Sequence, residues 1–167
     1  MAMVFGLAFL GTVAAEDAAK KQPPIALSKA EVAKCVKALP EFVKICPSFS
    51  PEAATAGGGG SMAKMLQGAA TQAKLKAFTT KYGYANFLDF AKSMSGVMSA
   101  YAAMKMETAL VEIKKQMAAN PQIAGMMQAQ MKPLLEGIKR MKSTITPATY
   151  NAVKPHFKTL DKIFSGE

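Results

Sequence analysis

The two cysteines of this chain, Cys35 and Cys46, lie in the stretch LSKAEVAKCVKALPEFVKIC, with Pro40 between them. Two thiols can form a redox centre, supply half of a metal site, or close a disulfide. Thioredoxin-type redox chemistry uses thiols separated by two residues, and Cys35 and Cys46 are too far apart in sequence for it. A zinc site wants four ligands, and beyond the thiols the chain offers a single histidine, His156. The remaining role is a Cys35–Cys46 disulfide. Along one uninterrupted helix the two α-carbons would stand roughly 16 Å apart at 1.5 Å per residue, beyond the reach of such a bond. The staple therefore requires a break at Pro40 that folds the second half back, and two unpaired buried thiols are the alternative.

Other reactive groups are sparse. His156 follows Pro155 in an amphipathic segment, with no motif tying it to a carboxylate or a nucleophile. Asp89, Glu107, Glu112, Glu136 and Asp161 are scattered singly, without HExxH or paired-glutamate spacing. The tract GGGGS at Gly57–Ser61 lacks the lysine-hydroxyl pair and the preceding apolar strand of a phosphate loop, so it reads as a hinge. No catalytic residue, metal ligand set or cofactor is signalled, and the expectation is a protein that is not an enzyme. Methionine is abundant, with 13 residues that include Met94, Met98, Met104 and the pair Met126-Met127. Thioethers suit Cu(I) in an exported chain, which makes a methionine-rich copper carrier the alternative function. Their helical spacing favours core filling or a greasy binding surface.

The elements that would position these groups are helical. Ser28-x-x-Glu31 is a capping box, with Leu27 and Val32 as its hydrophobic staple, so a helix starts at 29. Pro40 predicts that this helix ends near 39 and that a second begins. Ser61 can cap the next helix, whose apolar positions Met62, Met65, Leu66, Ala69, Ala73 and Ala77 run up to a glycine stop at Gly83. Asn86 with Asp89 caps the longest helix, whose apolar face runs from Phe87 through Tyr101 to Leu110 and whose end lies at Asn120-Pro121. A fourth helix opens at Pro121 and should break or kink at Pro133, and a last one starts at Thr146-Pro147 and bends at Pro155. No alternating β-branched run occurs, so the fold class is all-α: a single-domain bundle of five to six amphipathic helices with proline breaks.

Residues 1–15, MAMVFGLAFLGTVAA, are uncharged and end in the small-residue pattern Val13-Ala14-Ala15, which predicts a signal peptide and a periplasmic or secreted protein. The apolar run falls short of the roughly 20 residues a bilayer span needs, so no transmembrane helix is expected in the mature chain. Residues 16–27 read as a mobile arm, and 28–167 as the helical domain with its hinge at 57–60.

The chain carries 21 Lys and Arg against 11 Asp and Glu, a net charge of +10 at pH 7. An exported protein this basic is expected to meet an anionic envelope surface or a protein partner. Nucleic acid is disfavoured, because the chain has no tryptophan and no recognised nucleic-acid motif.

The segments LSKAEVAKCVKALPEF, GYANFLDFAKSMSGVMSAYAAMKM and YNAVKPHFKTLDKIF, about a third of the chain, resemble a group of small exported helical proteins of Gram-negative bacteria that are themselves uncharacterised. The tract Gly57–Gly60 is not a feature of that group. The resemblance implies a periplasmic helical domain and carries no functional residues across. The expected function is that of an exported, non-enzymatic helical binding or structural protein with a basic surface.

Overall fold

The computed structural model describes residues 23–46, 69–120 and 124–165. The expected signal peptide, most of the expected arm, and the expected hinge at 57–60, cap at Ser61 and helix opening at Pro121 lie outside the described residues. Within them the protein is an all-α bundle: α1 (Lys29–Ile45), α2 (Ala69–Lys81), α3 (Phe87–Ala119), α4 (Ala124–Ser143), α5 (Pro147–Val153), a 3-10 turn (Lys154–His156) and α6 (Phe157–Ser165).

Local chemistry sets the helix ends. The Ser28 hydroxyl accepts from the Glu31 amide, while the Glu31 carboxylate accepts from the Ser28 amide at 2.7 Å, closing the capping box of α1. Asn86 accepts from the Asp89 amide at the start of α3, and Thr146 from the Thr149 amide at the start of α5, with Pro147 in the first turn. Gly83, at φ +68°, reverses the chain after α2, and its amide and that of Tyr84 bond to Thr80 O and Thr79 O. This left-handed backbone is the conformation that glycine adopts without a Cβ penalty.

Pro40 does not break the chain. α1 continues through it, because Pro40 is exposed on the outer side while Val32, Cys35, Val36, Leu39 and Phe42 share one buried face. An interior proline costs about 3 kcal/mol. Continuing the helix buries Phe42 and Cys46, and a fully buried large apolar side chain is worth about 1.5–3 kcal/mol, so packing offsets the penalty. The disulfide expectation falls with the break: Cys35 and Cys46 are free thiols, both buried. They stand about 16 Å apart along a continuous helix, against the 4.4–6.8 Å or so that a disulfide spans. Pro133 likewise sits exposed inside an unbroken α4, and Pro155 lies in the 3-10 turn.

Among the described helices α3 is the centre of the bundle, in contact with each of the others. Its Phe90, fully buried, has ring centroids of Phe42 and Phe78 at 4.9 Å and of Tyr84 at 5.3 Å. α2 supplies Leu75 and Phe78 to this core, and Ala73 and Ala77, expected on its apolar face, are exposed. The reason is area: a leucine and a phenylalanine one turn apart remove far more apolar surface from water than alanines do. α4 runs back antiparallel along α3, with Gly137 beside Met106 and Lys142 beside Glu107.

The end of the expected arm is held. Ile25 forms a parallel β-bridge with Ile145, its amide donating to Thr144 O at 2.8 Å and its carbonyl accepting from the Thr146 amide at 3.0 Å. The fully buried Thr149 hydroxyl accepts from the Leu27 amide at 2.8 Å and donates to Ile25 O at 3.0 Å. Its single proton is thus committed, so the Thr146 hydroxyl is the donor in the 3.0 Å contact between the two. A clip of this kind joins distant segments, which local sequence pattern does not encode.

Candidate functional site

Cys35 is no nucleophile here. Burial pushes its thiol up to about 12, which removes the thiolate at neutral pH, and burial raises Cys46 as well. The Tyr84 hydroxyl lies buried beside Cys35 without a hydrogen-bond partner of standard geometry, and burial raises it too. Met94, Met98 and Met104 are buried core residues of α3, and Met106 lies against Gly137 of α4. His156 is half-buried in the 3-10 turn.

Three carboxylates acquire a shared arrangement that their scattered positions do not announce. Each is held by one lysine and one tyrosine. Glu41 of α1 accepts from Lys81 Nζ at 2.5 Å and from Tyr82 OH at 2.8 Å. Asp161 of α6 accepts from Lys105 Nζ at 2.8 Å and Tyr101 OH at 2.9 Å, both from α3. Glu107 of α3 takes Lys142 Nζ at 2.5 Å on one oxygen and Tyr150 OH on the other. In two of these clamps the ammonium also lies over the ring of the same tyrosine, at 4.5 Å for Lys142 on Tyr150 and 5.5 Å for Lys81 on Tyr82. The i,i+4 spacing of Tyr101 and Lys105 was the one legible signal, since it puts both donors on one helix face. The tyrosines at 82 and 150 gave none.

The clamps tie helices together and fix charge states. The Lys81 bond, then that from Tyr82, holds Glu41 below the ordinary 4.5, and the Lys105 and Tyr101 bonds hold Asp161 below 3.8. Burial pushes Glu107 up, but its bonds to Lys142 and Tyr150 outweigh that and leave it lowered; burial and the Glu107 bond push Tyr150 up to about 12. A carboxylate whose folded pKa is depressed contributes stability that is present above its unfolded value and lost as pH falls through the folded one. Stability should therefore be flat from pH 7 to about 5 and decline below about 4.5 as the clamps protonate. Urea midpoints taken across that range test this, and a midpoint unchanged down to pH 3 would refute it.

The same pairings leave two helices with uncompensated charge. On α1, Lys29, Lys37 and Lys44 are exposed and recur at intervals of eight and seven residues, which places them on one stripe. Lys158 and Lys162 of α6 continue the spacing begun by Lys154, also exposed. Every acid on these helices is engaged elsewhere: Glu31 in the capping box, Glu41 by Lys81, and Asp161 by Lys105. α1 and α6 are in contact, so the two stripes belong to neighbouring helices.

Among the described residues no group of three or more His, Cys, Asp or Glu side chains is arranged to hold a metal ion, and no helix is long and apolar enough to cross a membrane. No protein-family model matches this chain, and no curated protein or solved structure matches it.

Proposed function

We propose that this is an exported, non-enzymatic helical protein of the periplasm or the secreted fraction, which docks through its basic helices on an anionic lipid surface. The observation that carries the reading is an exposed lysine stripe on each of two helices in contact, α1 and α6, with every acid on both helices already engaged. Lys29 and Lys44 span about 22 Å of helix at 1.5 Å per residue, which suits several headgroups rather than one small anion. A lysine near an anionic bilayer contributes about 1 kcal/mol, and the attraction is screened within a Debye length. Solvated faces that serve only solubility would carry the same charge but show no such binding.

The protein should co-sediment with phosphatidylglycerol vesicles at about 0.01 M salt and release towards about 1 M, as the screening length falls from about 30 Å to about 3 Å. Lys37→Glu/Lys44→Glu, at two exposed sites, should weaken binding at least about tenfold. Equal binding to phosphatidylcholine vesicles, or none to phosphatidylglycerol at low salt, would sink the reading and leave a protein partner as the better one.

A further inference from the structure

A groove of about 460 Å³ runs between α3 and the corner where α5 turns into α6. That volume lies within the range of about 300–1,000 Å³ typical of small-molecule pockets. Met104, Val111, Pro155 and Phe157 give it an apolar wall. Val111 stands 53% exposed there, which leaves apolar surface in water that nothing in the described fold covers.

The polar groups of the groove are unevenly matched. Glu107 is its one carboxylate, and Lys142 and Tyr150 already hold it. Lys154 and Lys158 also line the groove, and among the described residues neither forms a salt bridge. The groove thus offers an apolar surface with two ammonium groups at its rim outside any close ion pair, and although the Lys154 charge helps to lower Glu107, the lysines outnumber that one carboxylate.

We propose that this groove binds an anionic single-chain amphiphile, with its hydrocarbon chain against Val111, Met104 and Phe157 and its anionic head between Lys154 and Lys158. Charge complementarity selects the class: a neutral chain would leave the excess positive charge of the groove unmatched, and a free small anion would leave the apolar wall uncovered. The head can come from a free fatty acid or from a lipid at a bilayer surface, and the experiment separates these sources. The groove site stands without the docking reading, because it needs none of the α1 lysines.

Oleate below its critical micelle concentration is the probe, titrated into the whole protein by displacement of a fluorescent polyene fatty acid. Oleate should bind, and oleyl alcohol should bind at least about tenfold more weakly. Lys154→Glu/Lys158→Glu and, separately, Val111→Glu should each weaken oleate at least about tenfold, with unchanged helicity and melting at these exposed sites. Lys37→Glu/Lys44→Glu should leave oleate binding intact while reducing vesicle binding, which separates failure of the groove from failure of docking. Oleate and the alcohol binding equally, oleate affinity indifferent to both groove variants, or binding seen only with vesicles would each overturn the proposal. The alcohol comparison uses unaltered protein, so it decides the matter even where a variant fails to fold.

Discussion

Replacing Phe90 by alanine is expected to remove about 3–5 kcal/mol from the fold, the range for truncating a fully buried aromatic residue. Phe90 has no exposed surface, and the rings of Phe42, Phe78, Tyr84 and Phe87 surround it with centroids 4.9–6.0 Å away. These rings come from α1, α2, the turn after α2 and α3 itself, so the cavity would open where several elements meet and collapse of one wall cannot refill it. Against a typical domain stability of about 5–15 kcal/mol the loss is a large fraction of the whole. Leu88, two residues away and 76% exposed, is the internal control, since Leu88→Ala should stay within about 0.5 kcal/mol. Urea unfolding of the pair decides it. A Phe90→Ala cost under about 1 kcal/mol would mean that this cluster is not the core.

Thr149→Val should cost about 1–3 kcal/mol, with an effect confined to one place. Valine keeps the volume of the buried side chain and removes its hydroxyl. The Leu27 amide then has no acceptor, whereas Ile25 O retains the Thr146 amide. A buried donor left unpaired loses its full desolvation cost, which is why the estimate exceeds the net worth of one hydrogen bond. Amide exchange at Leu27 should accelerate while the amides in the middle of α3 keep their protection. Thr149→Ser, which retains the hydroxyl, should restore slow exchange at Leu27. Unchanged exchange at that amide in the valine variant would show that the clip does not hold the segment.

The sequence made the helix ends legible wherever the chemistry is local. Ser28 with Glu31, Asn86 with Asp89, Gly83, and Thr146 with Pro147 each act within a few residues, and each stands where its pattern places it. Pro40 misled because its penalty is local while the compensation, Phe42 packed against Phe78 and Phe90, is tertiary. The disulfide expectation inherited that error. On α2, Ala73 and Ala77 have apolar spacing but too little area to set the buried face, which Leu75 and Phe78 take. The carboxylate clamps are not legible in local pattern, because their partners lie from 35 positions apart, for Lys142 and Glu107, to 60, for Tyr101 and Asp161. Charge pattern alone displayed the lysine spacing on α1 and α6. Which lysines remain unpaired emerges only once Lys81, Lys105 and Lys142 have found their carboxylates.

The bridge between Ile25 and Ile145 also has a bearing on time. Closing a longer loop adds little to the free-energy cost, about 0.6 kcal/mol for each doubling of its length, so the 122 positions between Leu27 and Thr149 weigh little at equilibrium. They weigh more in the order of events. A chain made from its N-terminus presents Ile25 and Leu27 before the groups that satisfy them, since Leu27 and Thr149 stand 122 positions apart. The first described residues are therefore completed only after α1 to α4 have all been made. Anything that meets the chain before then meets residues 23–27 with their backbone groups open.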